Sequence, residues 1–196
     1  MNNKTLGILA LVGAPFYFIG MYTEHGLYPN LNETWFTGAW ALTYMLGWMC
    51  SIVALQRLKV TGNTRFGRGI LWVVLGTLTL ANMYNLAQLV LPTHLFRYFI
   101  FLDAFWPMSN LMMLVIGITA FGSKRLKGWK RFVPLLVGFW FPVSVPAVFL
   151  FGQTFLGFMI GGVYSIIAWP LLAVMILTTK PEHQTKLMLT KKYQAV

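Results

Sequence analysis

Acidic residues are scarce in this chain. Its 196 residues include 4 Asp and Glu against 15 Lys and Arg, and charged residues of both signs make up only 10%. Soluble domains carry about 25%. There is one cysteine, Cys50, which excludes a disulfide-stapled secreted module and a dithiol redox centre. The sequence also lacks a Gly-rich phosphate loop, a His pair at zinc or haem spacing, and a Gly-x-Ser-x-Gly elbow. What fills the chain is apolar: 58% of it is hydrophobic, with 16 Phe, 8 Trp and 8 Tyr. Too little polar surface remains to coat a water-soluble globule, so the composition points to an integral membrane protein.

Charge-free stretches locate the spans. Uncharged runs separate Lys4 from Glu24, Glu33 from Arg57, Arg68 from Arg97, and Asp103 from Lys124. The run from Arg131 to Lys180 encloses 48 uncharged residues, too many for one crossing. It divides at Gly152-Gln153-Thr154, a turn signal. A helix crossing a hydrocarbon core of about 30 Å needs about 20 residues. The pattern therefore predicts an all-α bundle of six transmembrane helices, near 5–23, 35–56, 69–91, 99–122, 132–151 and 155–178, forming one domain over 1–179. A basic tail over 180–196 follows. Helices are the expected solution because lipid offers backbone groups no other partner. No small-x-small cleavage site follows the first apolar run, so it is expected to be retained rather than removed as a signal peptide.

The basic residues set the orientation. With the amino terminus inside, Lys4, the 57–68 loop, the 123–131 loop and the tail hold 14 of the 15 Lys and Arg, and only Arg97 faces out. The positive-inside rule then places both termini in the cytoplasm, with the plasma membrane, the inner membrane of a bacterium, as the expected location. The same rule explains the net charge of +11 without invoking nucleic acid; the cations meet anionic lipid headgroups instead.

The polar residues inside the apolar runs carry the functional signal. Asp103 is the one acid placed within a span, near the outer end of the fourth helix. Asn110 follows on the same face, with Trp106 and Pro107 between them. The third helix carries Asn82, Asn85 and Gln88. If the third and fourth helices form a tight antiparallel hairpin, Gln88 falls level with Asp103, Asn85 with Trp106, and Asn82 with Asn110. Pro107 removes the donor for the Asp103 carbonyl, and Pro170, after Trp169, does the same on the sixth helix. Two expectations compete: amides that glue a hairpin together, or a pocket open to the outside, bounded by Asp103, Asn110, Asn82, Asn85, Gln88, Trp106 and Trp169.

The first outer loop carries Glu24, His25 and Glu33, and the next carries His94. These are suitable metal ligands, but their spacing matches no ligand pattern, so neither a metal nor any other cofactor is expected. A solvated acidic loop is the plainer reading. Ala10 and Ala14 form a small-xxx-small pair on the first helix, suited to close contact within the bundle or with a partner subunit. In number of helices, in both ends lying inside, and in this Ala10/Ala14 pair, the chain resembles the substrate-binding subunits of energy-coupling-factor vitamin transporters. The resemblance is one of size and topology, and it implies ligand capture from outside with docking through the first helix.

Three functions follow as expectations. The first is a membrane protein that binds a small molecule or lipid-like ligand in an outward-facing pocket, as a transporter or transporter component. The second is an intramembrane enzyme acting on a lipid or isoprenoid, with Asp103 as acid or base and His94, His25 or Glu24 as partner. The third is a non-catalytic assembly or regulatory subunit whose polar layers only fix helix pairing. The sequence leaves enzyme or non-enzyme open.

Overall fold

The computed structural model describes residues 1–179; the tail expected at 180–196 lies outside the described residues. Among the described residues the structure is all-helical, and six helices are long and apolar enough to cross a membrane: α1 Asn3–Leu27, α2 Trp35–Arg57, α3 Arg65–Val90, α4 Thr93–Ser123, α5 Gly128–Phe151 and α6 Phe155–Thr178. The spans fall where the charge-free runs place them. The starts of α1, α3, α4 and α5 lie before those runs, because charge marks the limit of the apolar stretch while capping marks the limit of the helix. Asn2 accepts from the Thr5 amide at 2.8 Å, Thr64 from Gly67 at 3.0 Å, and Thr154 from Gly157 at 3.3 Å. Each satisfies an amide that the first turn leaves orphaned. Thr64 thus starts α3 before Arg65 and Arg68, which charge counting left outside the helix.

Three of the helices are composite. α1 breaks after Gly13, resumes at Phe16, and ends in a π-helical turn over Thr23–Leu27. The break falls at Pro15, which cannot donate to the carbonyl four residues back. α5 breaks between Gly138 and Trp140, where Pro142 removes the donor for the Gly138 carbonyl. α4 opens with a short turn, Thr93–Phe96, and a 3-10 stretch, Arg97–Leu102, before its main helix Phe105–Ser123.

Successive helices pack side by side, and α6 closes onto α1 and also touches α2, so the six spans form a ring. Small residues let the backbones approach. A methyl added at Gly13 would lie 2.8 Å from the Gly47 Cα on α2, and one added at Gly117 on α4 would lie 2.6 Å from the Leu135 Cα on α5. Both are closer than real side chains come, as expected where close backbone contact rather than water exclusion holds helices together. Ala10 and Ala14 are buried within the chain.

The ends of the bundle differ in charge. At one end lie Lys4, the 58–64 loop and the 124–127 loop, with Arg57 bonded to the Met1 carbonyl. Arg131 Nε donates to the Phe121 carbonyl at 2.8 Å, and its guanidinium sits 3.8 Å from the centroid of the Phe121 ring. Lys130 Nζ donates to the Thr178 carbonyl at 2.6 Å. These cations meet the unsatisfied, partly negative C-terminal carbonyls of α4 and α6. At the other end lie Glu24, Glu33 and Asp103, with Arg97 as their basic neighbour.

Candidate functional site

The polar side chains of α3 and α4 are arranged differently from the layers the sequence suggests. Asn82, Asn85, Gln88 and Asn110 are all buried. Asn82 and Asn85 of α3 face α2: Asn82 Nδ2 lies 3.3 Å from Met49 Sδ, Asn85 Nδ2 lies 3.4 Å from Met45 Sδ, and Asn85 also donates to Asn82 Oδ1 at 3.2 Å. Asn110 Nδ2 donates within its own helix, to the Trp106 carbonyl at 3.0 Å. The hairpin itself is joined by Ser109 Oγ donating to Thr77 Oγ1 at 2.8 Å. That pair sets a register centred near Thr93 rather than two to three residues later, because helix resumes directly after Leu91 and Pro92.

Asp103 is exposed, and among the described residues no hydrogen bond or ion pair holds its carboxylate. Its carbonyl, which Pro107 was expected to leave free, accepts from the Trp106 amide at 2.9 Å, since the 3-10 stretch supplies a donor one residue earlier. His94 is also exposed. His25 stacks on Phe158 of α6, centroids 3.9 Å apart and planes 13° from parallel. Glu33 pairs with Arg97 at 3.2 Å, with both side chains more than half exposed. Among the described residues no three His, Cys, Asp or Glu come together as a metal would require.

The buried acid is Glu24. The sequence places it in a solvated loop, but the π-helical turn carries α1 on past Tyr22 and turns Glu24 into the bundle, where only 1% of its surface is exposed. Its Oε1 accepts from Thr37 Oγ1 at 2.5 Å and from Trp40 Nε1 at 2.9 Å, both on α2. No Lys or Arg pairs with it among the described residues. An ionised carboxylate out of water needs a partner charge or several donors, and here two neutral donors on one oxygen are what it has.

Glu24 heads an aromatic core that fills the centre of the ring. Trp40, bonded to Glu24, lies against Gly20 so closely that a Cβ there would be 2.1 Å from the indole. Tyr17 on α1 is the hub: its ring lies 5.8 Å from Trp40, 5.2 Å from Tyr44, 6.1 Å from Trp106 and 5.6 Å from Trp140. Trp140 bridges the two tryptophans expected to flank a ligand, at 5.4 Å from Trp106 and 6.3 Å from Trp169. Most of these contacts are edge-on or tilted, as ring quadrupoles prefer. Trp140 Nε1 donates to the Gly161 carbonyl at 2.9 Å. The indole nitrogens of Trp48, Trp106 and Trp169 and the Ser144 hydroxyl are buried with no partner. Each such group costs about 1–3 kcal/mol, so the polar side of this core is incompletely matched.

A shallow apolar groove of about 440 Å³ runs between α5 and α6, lined by Val143, Leu156, Met159, Ile160, Val163, Tyr164 and Ile167. Its one hydroxyl, on Tyr164, is committed to the Leu136 carbonyl at 2.8 Å. None of the residues expected to bind a ligand lines it. No protein-family model matches the chain, and no curated protein and no solved structure is significantly similar to it.

Proposed function

We propose that this chain is a multi-pass protein of the plasma membrane, the inner membrane of a bacterium, that binds a small molecule at its outward end. The positive-inside rule puts the basic end in the cytoplasm and the acidic end outside. The observation that carries the reading is Glu24: a buried carboxylate without a basic partner, at the head of an aromatic core, on a π-helical turn. Structural glue does not need an acid there, because an amide or hydroxyl would take the same two hydrogen bonds at lower desolvation cost. Glu24 thus replaces Asp103 as the anchor of the site, with Trp106 and Trp169 deeper in the same aromatic core. The α3 amides and Asn110 belong to the scaffold, and Asp103 and His94 to the exposed rim. If the chain is instead an enzyme, the same burial makes Glu24 the acid or base.

A second reading has its own observation. Asn82 and Asn85 of α3 are taken up by Met49, Met45 and each other, which suits a non-catalytic subunit whose polar residues fix helix pairing. Native mass spectrometry of the full chain released from lipid nanodiscs separates the two. Ligand binding predicts a small molecule retained by the wild type and lost from Glu24→Gln; a bare chain in both cases favours the subunit. Orientation has a separate test in a Cys50→Ser background. Cysteines at Thr64 and Gly128 are expected to label from the cytoplasmic side and one at Asn30 from outside. Labelling of Asn30 and Gly128 from one side would refute the arrangement.

A further inference from the structure

We infer that the ligand class taken by the Glu24 site is an organic monocation, an ammonium group on a compact apolar body. This rests on the ligand-binding reading above and adds the sign of the ligand's charge. Three observations converge on it. Glu24 is buried without a countercharge, so a cation supplies the partner that the chain does not. One of its two donors is aromatic and opens onto a cluster of rings: Trp40 donates to the carboxylate and touches Tyr17, whose ring reaches Trp106 and Trp140. Ring faces attract cations, most strongly when water is excluded. Finally, the acidic residues of the described chain all lie at this end, while all its basic residues but Arg97 lie at or near the other, so the field at this end favours cations over anions.

The rings touch one another, so a cation enters by parting them. The piece of α1 from the break at Pro15 through the π turn carries Tyr17, Gly20 and Glu24 together. One element therefore brings a ring face, the close contact with Trp40 and the carboxylate to one place. An anion would meet no basic side chain in this core, and a neutral ligand would leave Glu24 without a partner charge.

The test is isothermal titration of the full chain in nanodiscs with benzyltrimethylammonium, and with benzenesulfonate as the anion of similar bulk. Saturable binding of the cation, none of the anion, and weakening of at least about tenfold in Glu24→Gln are expected, tenfold corresponding to about 1.4 kcal/mol. Trp40→Phe retains a π face and is expected to bind more tightly than Trp40→Leu; this comparison serves if Glu24→Gln does not fold. Equal binding of benzenesulfonate, or unchanged cation affinity in Glu24→Gln, overturns the inference. If the cation does not bind while native mass spectrometry finds a neutral or anionic molecule lost from Glu24→Gln, the charge assignment fails and the ligand-binding reading stands. If both experiments find nothing, both fail.

Discussion

The two ends of the bundle use charge in opposite ways. At the basic end, Arg131 and Lys130 sit at the surface and meet helix C-terminal carbonyls at 2.8 and 2.6 Å. Their charge remains near water and stabilises the fold where it is cheapest to place it. At the acidic end the three carboxylates diverge: Asp103 is exposed, Glu33 is paired at the surface, and Glu24 is buried on neutral donors. A charged group that secures topology or caps a helix does not have to be buried. One that is buried without a countercharge costs stability, and that cost marks a site better than the number of polar residues on a helix face does.

The largest expected effect contrasts two glycines. A methyl at Gly20 would fall 2.1 Å from the Trp40 ring, whereas one at Gly69, near the basic end, meets nothing within 4 Å. Gly20→Ala must push Trp40 aside and disturb its bond to Glu24, at a cost of about 1–3 kcal/mol. Gly69→Ala is expected to be neutral or to stabilise by up to about 1 kcal/mol, because it removes backbone freedom from a helix interior. Thermal exposure of the Cys50 thiol to a fluorogenic reagent reports both. Equal melting temperatures for the two variants would mean that the acidic end is not tightly packed.

The next contrast is between the two acids. Glu24→Ala leaves Trp40 Nε1 without its acceptor and the Thr37 hydroxyl with only the Leu31 carbonyl at 3.3 Å, which costs about 1–3 kcal/mol. Glu24→Gln keeps an acceptor oxygen and is expected to lose less. Asp103→Ala removes an exposed side chain without a bonding partner and is expected to stay within about 0.5 kcal/mol of wild type. The same thiol-exposure assay reads all three. A larger loss for Asp103→Ala than for Glu24→Ala would reverse the assignment of the anchor.

What the sequence made legible follows from which forces act locally. The spans were readable because the hydrocarbon core imposes length and polarity on each segment separately. The turn at Gly152-Gln153-Thr154 was readable because Thr154 is a cap. The rotation of α3 about its axis was not, since an index sum fixes depth but not direction, and Asn82 and Asn85 turn toward Met49 and Met45 of α2. Glu24 was misplaced for a related reason: a charged residue at the end of an apolar run looks like a boundary, and nothing in Thr23-Glu24-His25-Gly26-Leu27 announces a π turn. The short loop after it, ending at the cap Thr34, brings Thr37 and Trp40 back to the same depth, a meeting only the fold reveals.

The smallest effect sharpens the contrast from the other side. Arg97 and Glu33 form the one ion pair among the described residues, at 3.2 Å, with side chains 63% and 62% exposed. The pair links the two loops of the acidic end, and in a sequence so poor in acids it invites the reading that it holds that end together. Its exposure argues otherwise. Water screens the attraction, and ordering two long side chains offsets much of what remains, so such pairs contribute about 0–1 kcal/mol. Glu33→Gln is therefore expected to leave the thermal exposure of Cys50 nearly unchanged at low salt and indistinguishable from wild type in concentrated salt, where screening removes the difference. A loss comparable to that of Glu24→Ala, persisting in salt, would mean that surface pairing rather than the buried carboxylate organises the outward end.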